Sequence, residues 1–290
     1  MCGRYATTRS EADLSDLFDA VDVTEGLGPS WNVAPTDPVP IVRVSLSHGA
    51  RVLDTARWGL VPPWAKDTRG AARMINARSE TVATSPAFAP SFARRRCLVP
   101  ADGWFEWLRD GKQKQAYYMT PADGSPLAFA GIWSPWGLEQ LLTCSVLTTA
   151  ATGKLKWVHD RMPLILPRDR WAAWLAGADD RAFEDTDSTD DGAGVGGAGG
   201  VSVSGAGRNG AGAGGVSGAR MSGVNLSAAG MSGAGRAGTG LGGSAVDDLL
   251  RPMTDRQLEA IEVRPVGPAV GNVRNNGPHL LEPPTEAKLF

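Results

Sequence analysis

At 290 residues, 42% hydrophobic and 21% charged, the chain is long enough to bury a sizeable core and reads as a soluble globular protein. A net charge of -2 and a pI near 6.0 exclude the global basic excess of a dedicated nucleic-acid binder. Three widely spaced cysteines (Cys2, Cys97, Cys144) and three histidines (His48, His159, His279) show neither a disulfide framework nor metal-ligand spacing. A reducing cytoplasm and no structural zinc are therefore expected.

The chain opens Met1-Cys2-Gly3-Arg4-Tyr5, so Cys2 becomes the N-terminus once Met1 is removed. An N-terminal cysteine carries an α-amine with a pKa of about 7.7 to 8.0 and a thiol near 8.5. Such a 1,2-aminothiol can form a Schiff base with an aldehyde and then close a five-membered thiazolidine. On Cys2 alone, a small buried hydrophobe is the leading reading. Next, Thr8-Arg9-Ser10-Glu11 reads as a capping box before Leu14, Leu17, Phe18 and Val21, which share a helical face. Strands are predicted at Val39 to Val44, Arg51 to Arg57, Cys97 to Val99, Gln115 to Met119, Leu127 to Trp133 and Leu141 to Leu147. Pro167 opens a second amphipathic helix through Trp171, Trp174 and Leu175. Helices and strands do not alternate, which favours an antiparallel, β-rich α+β domain over a doubly wound one.

Charge is unevenly spread. From Arg51 to Arg96 nine basic residues face only Asp54, Asp67 and Glu80, while an acidic run gathers between Asp179 and Asp191. After Asp191 the chain turns to Gly, Ala and Ser until about Ala245. That composition cannot bury enough apolar surface to offset its ordering entropy, so disorder is expected. Arg208, Arg220 and Arg236 interrupt it, leaving no apolar run of the roughly 18 residues a membrane span needs. The strand-like Ile261-Glu262-Val263-Arg264-Pro265-Val266 follows. The organisation expected is thus a main domain over 1–178, an insert over 179–245 and the rest of the same domain over 246–290. Enlarging a short loop to this size costs only about 2 kcal/mol of closure entropy.

Further segments look like a site: Trp31-Asn32-Val33-Ala34-Pro35-Thr36, Trp58-Gly59-Leu60-Val61-Pro62-Pro63-Trp64, Ile75-Asn76-Ala77-Arg78-Ser79-Glu80-Thr81, Pro100-Ala101-Asp102-Gly103-Trp104-Phe105-Glu106-Trp107 and Val158-His159-Asp160-Arg161-Met162-Pro163. With Met1-Cys2-Gly3-Arg4-Tyr5 they resemble the SRAP (SOS response-associated peptidase) family, whose members trap abasic sites in single-stranded DNA. The resemblance spans about residues 1 to 178 and resumes from Val266-Gly267-Pro268-Ala269-Val270-Gly271-Asn272-Val273 to Leu281. It implies a single domain with a barrel-like core and flanking helices, acting as a monomer on abasic single-stranded DNA without membrane, metal or cofactor.

The resemblance also assigns roles. Cys2 becomes the nucleophile that forms a covalent thiazolidine crosslink, shielding the site from strand breakage. Glu106, between Phe105 and Trp107, becomes a proton-transfer group, although its residues alone also fit a solvated strand glutamate. His159 becomes the group that protonates the sugar ring oxygen, although alone it equally fits a packed histidine. Asn76 becomes a sugar-binding group rather than a turn residue. Arg4, Arg78 and Arg161 become phosphate ligands, Asn32 lies at the pocket edge, and Trp64 stacks a base where the alternative is a core tryptophan. Peptidase or lyase activity at Cys2 accompanies this reading.

Two other readings stay open. Cys2 also fits an N-terminal-nucleophile amidohydrolase or thiol peptidase. Class II glutamine amidotransferases likewise begin Met-Cys-Gly, but no Asn-Gly-Glu or Gly-His-Arg element of their glutamine pocket is present. The third reading is a noncatalytic single-strand DNA-binding module using the Arg51 to Arg96 stretch and stacking tryptophans.

Overall fold

The computed structural model describes residues 2–111, 113–176 and 248–284. The acidic run and the Gly/Ala/Ser segment expected at 179–245 lie outside the described residues. In chain order the strands are β1 (Tyr5–Thr7), β2 (Val21–Asp22), β3 (Ser30–Val33), β4 (Pro38–Ser45), β5 (Ala50–Trp58), β6 (Asn76–Arg78), β7 (Arg96–Ala101), β8 (Gly103–Asp110), β9 (Gln113–Pro121), β10 (Leu127–Trp136), β11 (Leu141–Ala150), β12 (Arg161–Pro163) and β13 (Ile261–Val266). The α-helices are short: α1 (Glu11–Phe18), α2 (Ala89–Arg94), α3 (Trp171–Leu175) and α4 (Asp255–Leu258).

Two sheets result. One runs β13-β9-β8-β1-β3, antiparallel throughout. The other follows β12-β11-β10-β7-β4-β5-β2, with β6 beside β11. A parallel pairing of β11 with β5, at Thr143↔Arg57 and Cys144↔Trp58, joins the two ends of the path β5-β4-β7-β10-β11 and closes a five-stranded barrel. Closure removes the free edges an open sheet would present. The architecture is the expected β-rich α+β domain with a barrel core, and beside its antiparallel pairs stand three parallel ones (β11 with β5, β11 with β6, β2 with β5).

Strand alternation explains where the core sits. Val39 and Ile41 of β4, Cys97 and Val99 of β7, Phe129 and Trp133 of β10, and Cys144 and Val146 of β11 share one buried cluster with Cys2, Tyr5, Trp58 and Trp104. Their sequence neighbours Val42, Leu98, Ala128, Ala130, Ile132 and Leu147 face the other way, into a cluster with Leu14 and Phe18 of α1 and Trp171 and Trp174 of α3. Both faces of the barrel wall are therefore buried.

Two corrections concern α1. The helix stops at Asp19, which adopts a left-handed conformation, so Val21 falls in β2 and is 49% exposed. The N-cap is Ser10, whose Oγ accepts from the Asp13 N–H at 3.1 Å. Glu11, expected to close a box with Thr8, instead accepts from the Leu27 and Gly28 N–H groups. Thr8 has another partner, because its N–H and Oγ both donate to Asp102 Oδ2, at 2.6 and 2.7 Å.

Asp102 is the corner at which the chain leaves β7 of one sheet and enters β8 of the other. Its N–H donates to Ala6 at 2.7 Å and its carbonyl accepts from Thr120 Oγ1. Gly103 completes the corner, since a Cβ there would lie 2.4 Å from the Met119 carbonyl oxygen and 2.6 Å from the Tyr118 ring. That corner delivers β8 to the site.

Candidate active site

Cys2 is fully buried at the entrance to β1, within the barrel cluster. Asn76, the first residue of β6, donates from Nδ2 to the Cys2 carbonyl at 2.7 Å. The Ile75 carbonyl just before it accepts from the Trp58 indole and the Val146 N–H, each at 2.9 Å, so the backbone at Asn76 is held from two sides. With Nδ2 thus oriented, Asn76 Oδ1 is buried and accepts no hydrogen bond. A buried acceptor left unmade costs about 1–3 kcal/mol, and such sites await a donor.

Glu106 is buried on β8. Alternation puts it on the Trp104 face, and Trp104 belongs to the same cluster as Cys2. Burial raises its carboxyl pKa to about 7, against the opposing pull of the terminal ammonium. The Cys2 thiol is pushed well above the usual cysteine range by burial first and then by the Glu106 charge, while the terminal ammonium and the Arg4 backbone pull it back. Glu106 and the chain terminus thus act on the same thiol. His159 precedes β12, and its Nδ1 accepts from the Arg161 N–H at 2.9 Å. Burial and then the terminal ammonium lower its pKa. A neutral ring accepting at Nδ1 carries its proton on Nε2, which makes His159 a donor through that nitrogen.

The expected DNA ligands divide into two groups. Arg4 and Asn32, placed by sequence at a phosphate and at the pocket edge, are turned inward. The Arg4 guanidinium donates to Asn32 Oδ1 and to the Val270 carbonyl, both at 2.7 Å, while Asn32 Nδ2 reaches the carbonyls of Asn272 and Asn275 at 3.0 and 2.8 Å. Together they tie β1 and β3 to the segment after β13, and nothing local in sequence marks a partnership across more than 200 residues. Trp64, by contrast, is 61% exposed, on a loop pinned where the Trp136 indole donates to the Ala65 carbonyl at 2.9 Å. Arg78 ends β6 exposed, paired in register with Thr148. Arg161 is engaged by Glu80, to whose two carboxylate oxygens it donates at 2.5 and 2.9 Å, and by the Thr148 carbonyl.

The Arg51 to Arg96 stretch does not form one basic face. Arg96 is buried, donating to the carbonyls of Phe92, Trp174 and Ala176 at the ends of α2 and α3, Arg51 bonds the Phe18 carbonyl, and Arg69 pairs with Asp67. Among the described residues no cluster of three or more His, Cys, Asp or Glu could hold a metal, and no helix is long and apolar enough to cross a membrane.

The family model described as SOS response associated peptidase (SRAP) matches residues 1–191. The chain belongs to the SRAP family. Among its relatives, the abasic site processing protein YoaM of Bacillus subtilis is 39% identical over 182 residues, covering 60% of this chain and 79% of YoaM. YedK of Escherichia coli, also named an abasic site processing protein, is 34% identical over 188 residues, with the same two shares. HMCES of Xenopus tropicalis, named likewise, is 31% identical over 214 residues, covering 58% of this chain and 64% of its own. A crystal structure from Bacteroides thetaiotaomicron superposes with a TM-score of 0.66 at 17% identity, over 97% of this chain and 99% of that one, and shows the shared fold.

In this SRAP chain, sequence reasoning missed the corner role of Asp102, the Glu80 partner of Arg161, and an aromatic pair, Tyr117 with Trp157, beside Glu106. Only Asp102 carried a signal, since an Asp-Gly pair between two strands marks a sharp change of direction.

Proposed function

We infer that this protein captures abasic sites in single-stranded DNA as a covalent thiazolidine through Cys2, once Met1 has been removed. The observation that carries the reading is the pairing of a buried 1,2-aminothiol residue with a neighbour, Asn76, that holds the Cys2 carbonyl and offers an unfilled acceptor. Membership of a family whose relatives are named abasic site processing proteins supports the substrate.

The electrostatics favour an order of steps. The raised thiol pKa keeps Sγ protonated at neutral pH, so the amine is the first nucleophile. In the ring-closed sugar the C1′–O4′ bond breaks, the Glu106 carboxyl gives a proton to O4′ while taking the one the C1′ hydroxyl loses, and the His159 Nε2–H hydrogen-bonds O4′ as the aldehyde forms. The new O4′ hydroxyl has a partner in Asn76 Oδ1. The Cys2 amine adds to C1′, the Glu106 proton goes to the departing hydroxyl, and water leaves an iminium beside the Glu106 carboxylate. Sγ then bonds to C1′ while its proton passes to Glu106, whose pKa of about 7 suits it to both protonation states. Trp64 stacks a base, and Arg78 holds a phosphate, joined by Arg161 if Glu80 yields. A Schiff base that fails to cyclise is the branch point for lyase chemistry, and the same Cys2 is the nucleophile of any peptidase activity.

The test is incubation with single-stranded DNA carrying one abasic site, with intact DNA and Cys2→Ala as controls. The expected outcome is a denaturation-resistant gel shift requiring both Cys2 and the abasic site. Binding without any covalent product, from protein shown by mass to lack Met1, would overturn the reading and leave the noncatalytic DNA-binding module.

A further inference from the structure

Trp157 is 49% exposed in the loop before His159, within the basic and aromatic run Lys154-Leu155-Lys156-Trp157. Its indole meets the Tyr117 ring edge to face, with centroids 4.8 Å apart and an interplanar angle of 82°. Tyr117 lies on β9 directly opposite Glu106 on β8. Residues directly opposed across an antiparallel pair project from the same face of the sheet. Tyr117 accordingly packs against the cluster that holds Cys2 and Trp104. The Trp157 indole is therefore one ring away from the site carboxylate and two residues from His159. Other exposed hydrophobics, such as Leu138 and Val273, stand in no such relation to Glu106 or His159 and need no explanation.

The loop is also fastened. Lys154 Nζ donates to the Glu259 carbonyl at 2.9 Å, and Leu155 is buried. Lys156 is exposed beside Trp157, with the exposed Asp160 the nearest opposing charge in sequence. A rigidly backed indole beside a surface cation is the pairing with which proteins hold single strands, the ring stacking a base and the cation meeting the backbone.

We propose that Trp157, backed by Tyr117, is a second base-stacking subsite that receives a nucleobase flanking the reacting sugar. It rests on the abasic-DNA reading and adds to it a preference for an intact base at one neighbouring position. A smooth-sugar abasic analogue at that position removes the stacking partner just as Trp157→Ala removes the platform, so the two changes should not add.

The experiment is fluorescence anisotropy with short single strands, using wild type, Trp157→Ala and Trp157→Phe, on intact DNA and on strands with one analogue at each position flanking a central one. The expected result is binding weakened about 5- to 150-fold by Trp157→Ala, largely restored by Trp157→Phe, with an unchanged salt slope. At one flanking position the analogue should weaken wild type but not Trp157→Ala. Wild-type affinity in Trp157→Ala, or additive losses at every position, would overturn the subsite. Covalent capture is scored separately on the abasic substrate. Capture with no Trp157 effect sinks only the subsite, a Trp157 effect without capture sinks only the thiazolidine chemistry, and absence of single-strand binding sinks both.

Discussion

The floor of the site and its rim are built on opposite terms. Cys2 and Glu106 are buried, Asn76 is held from both sides of its backbone, and their environment changes what they can do: the thiol keeps its proton and the carboxyl titrates near 7. Trp64, Arg78 and Trp157 are exposed, and what the fold supplies is their position. On the proposed function, burial sets the reactivity of the floor and exposure the affinity of the rim. Substitutions in the floor should therefore slow adduct formation with binding intact, and substitutions at the rim should do the reverse.

After Cys2→Ala, the largest effect on the floor is expected from Glu106→Gln, a loss of about 10²- to 10⁴-fold in the single-turnover rate of adduct formation. The wild-type pH profile should show an inflection near 7 that the variant lacks. A linked stability change gives an independent reading. The folded carboxyl holds its proton to about pH 7, whereas in the unfolded chain, where burial is lost, it titrates near 4.5, so the folded state binds more protons between those values. Stability should fall as pH rises through that window, by up to about 3 kcal/mol, and level off above it. Thermal melts of Glu106→Gln should lose this slope; an unchanged slope would place its source elsewhere.

Asn76→Ala comes next. It removes both the tie to the Cys2 carbonyl and the open acceptor, and a loss of about 10- to 100-fold in rate is expected. Asn76→Asp keeps the acceptor and loses the donor, so an intermediate rate would separate the two contributions.

On the rim, Trp64→Ala should weaken single-strand binding by about 5- to 150-fold with little change in salt slope. Arg78→Ala should act least, lowering the slope of log affinity against log salt by about 0.7 for one lost phosphate contact. If either slowed adduct formation at saturating DNA, the division between floor and rim would fail.

Sequence legibility followed the same division. The long barrel strands were readable as runs of β-branched and aromatic residues between turn signals, continuous rather than alternating because both faces of the wall are buried, and β13 was read at Ile261 to Val266 as found. Strands of two to four residues, β1, β2, β3, β6 and β12, carry no period to detect. Alternation around Glu106 placed it with Trp104, but Phe105 on the opposite face is also buried, in a third cluster with Tyr118 and Val266, because β8 is covered on both sides. The helix cap was shifted to Ser10 because Asp102, remote in sequence, claims Thr8. Arg4 and Arg78 look alike as arginines in motifs. Only the fold reveals that one braces the segment after β13 and the other faces solvent.

The most direct test of the central claim is the mass of the adduct after digestion of protein and DNA, with and without prior alkylation. The expected species is the peptide beginning at Cys2, joined to the abasic sugar with loss of one water and with no alkylatable thiol. An adduct that retains Met1, or whose Cys2 thiol still alkylates, would contradict thiazolidine closure by the Cys2 amine and thiol.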